Sequence, residues 1–363
     1  MQCGNTTTNL IGGTTRLTVL PESDTSPKKK KNASREQMPS IKEYREAYKV
    51  DGGFEFPQFF EAYHKAQSSQ WRPQEVSFES DIRDWQSGSS EEKEIIGGIL
   101  RGFTQLECHV SDYWSGIPNW FPKHEIAAVA RAFALSEIVH AEAYNLLSDT
   151  LGLDEFEAFL GDPVAQSKIN YFLNEKGIKE SLAIFSGAGE GVSLFSSFAV
   201  LLSLNLTGRY KGIAQIISWS ALDEQQHSDT GIALFRELIK EDPLTPEEAT
   251  SIGQGFKAVL RNEEAFLDQI FSGRSLGTIT LYDTKQYVRW RANERLTKLG
   301  ISVPYFHVDK EAADRIKSWF HPIMKGATST DFFAQKGDGA NYISKPTQDF
   351  MGVNLRTLDL TLT

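Results

Sequence analysis

A chain of 363 residues, 24% charged and 40% apolar, can bury one large core or two smaller ones. Its formal net charge of −10 excludes non-specific nucleic-acid binding through a basic face. Two cysteines, Cys3 and Cys108, exclude a disulfide framework and fit a reducing cytoplasm. No N-terminal signal-peptide order is present, and no apolar run predicts a membrane span.

Residues 1–38 are rich in Thr, Gly, Asn and Ser and hold the Lys28–Lys31 run, which predicts a flexible arm. From 39 to 334 the chain reads as helix after helix, with no sustained two-residue alternation. Ser89-Ser90 before Glu91-Glu92 is a helix start, and Ile95, Ile96, Ile99, Leu100, Phe103, Leu106 and Val110 then mark its apolar face. Glu107 lies on or beside that face. Pro122 opens the next predicted helix, which runs to about Thr150, before Gly152, and holds Glu137, His140 and Tyr144. A third covers about 179–206 and holds Glu190 among Gly187, Gly189 and Gly191, poor helix formers that cost about 1 kcal/mol each against alanine. Such a cluster loosens a helix or admits another backbone. The fourth, about 211–240, carries Glu224 and His227, and further helices follow at about 246–272, 279–298 and 309–322. Gly337, Gly339, Pro346 and Gly352 break any pattern in a C-terminal tail over 335–363.

Two E-x-x-H tetrads stand out: Glu137 to His140 and Glu224 to His227. Each follows a lone glutamate, Glu107 or Glu190, by 30 and 34 residues respectively. Residues i and i+3 share a helix face, so each tetrad can offer both side chains to one ion. Four carboxylates and two imidazoles in matched halves form the ligand set of a dinuclear site in a helix bundle. One tetrad alone is more often an exposed or hydrogen-bonded pair. Two in register need compensation, because buried charges are paired or bind metals. The oxygen-rich set suits iron or manganese and not structural zinc. Such a centre can reduce O2 and hold oxidising equivalents. His64, His109, His124, His307 and His321 have no comparable spacing.

The segments Trp71-Arg72-Pro73, Glu107, Phe133 to His140, Tyr144, Glu190, Leu222 to His227 and Thr330-Asp331-Phe332-Phe333 resemble the small, radical-generating subunit of class I ribonucleotide reductase. The resemblance runs from about Phe59 to the C-terminus. It implies an all-α, ferritin-like helical bundle and a homodimer serving a catalytic large subunit. It also implies two iron or two manganese ions, or one of each. By position Glu107, Glu137 and His140 match ligands of one metal, and Glu190, Glu224 and His227 those of the other. Tyr144 occupies the radical-tyrosine position. Trp71 and Asp223 match the internal electron- and proton-transfer relay. Tyr342 matches the tail tyrosine that passes the equivalent to the large subunit, with Leu355 to Thr363 as docking peptide and Leu358, Leu360 and Leu362 as anchors. The activating oxidant is oxygen, or superoxide from a flavoprotein. Glu107 stands where most members of the family have aspartate; glutamate there occurs in subgroups that use manganese or a manganese/iron pair. Leu194 and Ser220 replace a common phenylalanine and a common aliphatic residue near Tyr144. A ligand-binding oxidase of the same fold shares the cluster but has no need of a docking tail, and an iron-storage protein has no need of the Trp71–Asp223 pair.

Overall fold

The computed structural model describes residues 40–43, 53–154, 161–173, 177–301 and 306–324. The chain divides into two units, Met1–Met38 and Pro39–Thr363, and every described residue lies in the second. In chain order the helices are α1 (Pro57–Ser68), α2 (Glu79–Ser87), α3 (Ser90–Gly116), α4 (His124–Leu151), α5 (Pro163–Leu173), α6 (Ile178–Ile184), α7 (Leu194–Leu204), α8 (Lys211–Glu241), α9 (Pro246–Phe271), α10 (Leu281–Leu299) and α11 (Lys310–Met324). A π-helical segment, Phe185–Ser193, joins α6 to α7. No strand occurs among the described residues, in agreement with the all-α expectation.

Local chemistry sets most helix ends. Ser89 caps α3 by accepting from the Glu92 amide. Thr245 and Glu248 form a reciprocal capping box on α9. Gly152 and Gly300 close α4 and α10 in the left-handed conformation. Pro122 falls two residues before the first residue of α4, because Lys123 is the extended N-cap. The N-terminus of α8 is capped from outside. Tyr210 sits there at φ 53° and offers no side-chain cap. Asp81 of α2, fully buried, instead accepts from the Gly212 and Ile213 amides at 2.9 and 2.8 Å.

Helices α3 and α4 pack along each other, and α8 packs along the π segment and α7. Every side chain of α7 is buried. The stretch Ile178–Thr207 is long and apolar enough to cross a membrane, a property the reading of the sequence did not register. Its most apolar window is 94% buried within this fold, as the central helix of a large core requires.

The π segment coincides with the glycine cluster. A wider helical turn brings its backbone close to α8 and α10. A β-carbon on Gly231 of α8 would lie 2.3 Å from Cβ of Ser186, and one on Gly191 would lie 2.8 Å from Cδ of Arg295. Both positions need glycine for close approach rather than for unusual torsion angles. The rare helix type sits where Glu190 must face the bundle interior, a place where π-bulges often serve a site.

Candidate metal centre

Three of the bundle's elements bring five ionisable side chains to one buried point. Helix α4 supplies Glu137 and His140, the π segment Glu190, and α8 Glu224 and His227. None is more than 1% exposed. Ligand-type atoms of Glu137, Glu190, Glu224 and His227 all lie within 4.8 Å of one another. His140 closes the far side, with Nδ1 at 3.0 Å from Glu137 Oε2 and 3.1 Å from Glu224 Oε1.

Glu137 and Glu224 each lie between the two imidazoles. Glu137 turns Oε1 to His227 Nδ1 at 2.7 Å and Oε2 to His140. Glu224 turns Oε1 to His140 and Oε2 to His227 Nδ1 at 3.7 Å. Glu190 lies on the His227 side, with Oε1 3.9 Å from Nδ1. Two carboxylates thus lie between the imidazoles, with one imidazole at each end.

The outward atoms are anchored. The carboxylate of Asp223 can only accept, so Nε2 of His140, 3.2 Å from Asp223 Oδ2, donates to it. Ser136 Oγ holds Nε2 of His227 at 3.1 Å. Trp114 donates its indole N–H to Glu190 Oε1. The inward atoms are different. Both oxygens of Glu137 and of Glu224, Oε2 of Glu190 and Nδ1 of both histidines are buried, make no well-aligned hydrogen bond and face only one another. So many orphaned donor atoms around one point are what a pair of divalent ions would satisfy. The donor set fits such a pair.

Charge inside the cluster follows the same geometry. Burial alone would push Glu137 up, but the His227 and His140 imidazoles hold it well below the carboxylate range. Burial and the neighbouring Glu224 push Glu190 well up. Burial opposes charge on both histidines, yet Glu137 above all raises them well above the ordinary imidazole value. Without metal, these raised values favour protons on His140, His227 and Glu190. Metal must displace them. A raised folded-state value contributes stability that is complete below the unfolded imidazole range and is lost as pH rises through the folded value. From about pH 6.5 upward, the metal-free protein is expected to lose thermal stability while its manganese affinity rises. Melting curves with and without Mn(II) across that range check this; a gap that stays constant with pH would refute proton displacement.

Trp71, in the link between α1 and α2, donates its indole N–H to Asp223 Oδ2 at 2.8 Å and stacks on His140 at 5.7 Å between ring centres. The fold thus places Trp71, Asp223 and His140 in one hydrogen-bonded row. Tyr144, one turn beyond His140, is fully buried and stacked on Phe103 at 4.8 Å. Leu194 and Ser220 are also buried. Glu107 lies on the α3 backbone, and its side chain falls outside the described residues, as do Tyr342 and the tail.

Reading the sequence missed Trp114 and the role of Ser136. Trp114 stands seven residues after Glu107, two turns along the same helix, and that spacing was the available signal. A cavity of about 450 Å³, lined by Gln70, Trp71, Glu75, Asp223 and Gln226, reaches Ser136 and His227.

A family model described as "Ribonucleotide reductase, small chain" matches residues 53–312. The probable ribonucleoside-diphosphate reductase small subunit 376L of Invertebrate iridescent virus 6 is 28% identical over 341 residues, covering 81% of this chain and 94% of that protein. Ribonucleoside-diphosphate reductase subunit M2 of Danio rerio is 27% identical over 317 residues, covering 82% of this chain and 78% of that protein. Among solved structures, the dimanganese(II)-NrdF of Streptococcus sanguinis superposes with TM-score 0.65 at 21% identity, over 75% of this chain and 98% of that one. The Rnr4 homodimer of Saccharomyces cerevisiae gives TM-score 0.62 at 17% identity, over 76% and 91%. These likenesses establish a ferritin-like helical fold.

Proposed function

The chain belongs to the ribonucleotide reductase small-chain family, and from that premise we propose that it is the small subunit of a ribonucleoside-diphosphate reductase, active with a catalytic large subunit. The observation that carries the proposal is the buried cluster, with Glu137 and Glu224 each between two imidazoles. Two iron or manganese ions held by Glu137, His140, Glu190, Glu224 and His227, with Glu107 from α3, would supply reaction with an oxygen-derived oxidant and storage of an oxidising equivalent.

The side chains do the rest. Asp223 and Ser136 fix the two imidazoles by their outer nitrogens, so that both Nδ1 atoms face inward. Trp114 fixes Glu190. The row Trp71–Asp223–His140 would pass an electron inward to the centre, so that the oxidising equivalent moves outward to Trp71, with Asp223 accepting the hydrogen bond of the indole N–H. The cavity beside Trp71 gives a small oxidant, oxygen itself or superoxide from a flavoprotein, a path to the His227 side. Tyr144, fully buried with its ring centre 6.4 Å from that of His140, is the proposed radical carrier, with the metals as the other store. An electron paramagnetic resonance spectrum separates storage on Tyr144, a narrow organic line, from storage on the metals. Leu135 and Ile138, 49% and 57% exposed on α4, offer an apolar pair to a second copy in a homodimer.

The C-terminal tail, with Tyr342 and the leucines beyond it, is the proposed link to the large subunit. Deleting residues 343–363 is expected to abolish deoxyribonucleotide formation with a large subunit while leaving two metals per chain. Persisting turnover would remove the tail from the mechanism and favour a self-contained oxidase.

A further inference from the structure

Helix α10 carries two fully buried arginines against the back of the metal-bearing elements. Arg295 is 1% exposed and well paired, with Nη1 2.7 Å from Asp229 Oδ1 and Nε 2.9 Å from Glu294 Oε2. Arg291 is 2% exposed, and its described hydrogen-bond partners are neutral. Its Nε donates to the Gly191 carbonyl at 2.8 Å, and its Nη2 reaches Gln225 Oε1 at 3.3 Å. The face of its guanidinium carbon lies 3.3 Å from the Phe195 ring centre. A buried cation without an ion pair carries a desolvation cost, which a leucine or methionine at this position would avoid.

Besides Phe195 and Tyr287, its two partners beside the cluster are informative, although Arg295 Nη2 shares the second, reaching Gln225 Oε1 at 3.0 Å. Gly191 directly follows Glu190, and Gln225 directly follows Glu224. One rigid planar group therefore spans the π segment and α8 at the residues adjoining two candidate metal carboxylates. The fork geometry of arginine allows this double hold, and a lysine point charge does not reproduce it. The hold falls on the π segment, a helix type rare outside single-turn bulges.

We propose that Arg291 is a positioning residue that sets the separation of Glu190 from Glu224, and so tunes binding of the second metal ion. This rests on the reading of those two glutamates as ligands.

The test uses the full-length chain and Mn(II) alone, with free ion followed by electron paramagnetic resonance and the coupled spectrum recorded for the bound pair. Arg291→Met is expected to weaken the second ion by about 10- to 100-fold, as loss of an outer hydrogen bond at a metal site commonly does, and to alter the coupled spectrum. Arg291→Lys should recover part of the affinity. Arg209→Met breaks the Arg209–Glu92 pair at the far end of α8; it should lower the melting temperature and leave manganese binding unchanged. A folded Arg291→Met that binds two ions with wild-type affinity and spectrum overturns the proposal. If that variant does not fold, Arg291→Lys, which keeps the charge and loses the fork, is judged by the same two readouts. A wild-type chain that binds no manganese pair would instead overturn the ligand assignment itself.

Discussion

Replacing Glu137 by alanine is expected to empty both metal positions at once. Among the described residues, Glu137 is the one carboxylate that approaches both imidazoles within 3.0 Å, at 2.7 Å from His227 and 3.0 Å from His140. Loss of an end ligand would weaken one ion, whereas loss of a bridge weakens both. The fall in affinity should exceed the roughly 10- to 100-fold typical of an outer-sphere change. Metal analysis after equilibration with Mn(II) or Fe(II), with circular dichroism as the control for folding, gives the answer. The variant should also lose most of the pH dependence described above, because Glu137 is the main cause of the raised values of both imidazoles. Two ions per chain in a folded Glu137→Ala protein would mean that the ions lie elsewhere.

Trp71→Phe is expected to abolish turnover with the large subunit and leave the metal content and the spectrum of the cluster unchanged. Phenylalanine keeps an aromatic ring where the indole stacks on His140, so packing is nearly preserved. It removes the N–H that donates to Asp223 at 2.8 Å, and it removes a ring that can be oxidised under mild conditions. The separation of outcomes is what makes the substitution useful. A structural role for Trp71 would disturb metal content or stability together with turnover. A relay role affects turnover alone, and wild-type turnover would rule the relay out.

Much of the fold was legible because its signals are local. The Ser89 cap and the Gly152 stop each depend on one or two side chains near their own backbone. Helices predicted at 211–240 and 246–272 appear as Lys211–Glu241 and Pro246–Phe271. The glycine cluster around Glu190 signalled an irregular helix, but not which kind. A π turn and a loosened α turn have the same composition, and the choice falls to what packs against it. The short helices α1 and α2 passed unremarked, because they are brief and weakly patterned.

Residue order alone determined that Glu137 can work with His140 and Glu224 with His227, because three residues along a helix share a face whatever surrounds them. It also determined an all-α fold over the described residues and a carboxylate-rich candidate metal site. Tertiary structure decided which glutamates lie between both imidazoles, that Trp114 holds Glu190, and that Arg291 reaches from α10 to the residues beside Glu190 and Glu224. Those relations join positions 66 to 100 residues apart, brought together only by the burial of apolar faces. No periodicity within one helix encodes a distance to another.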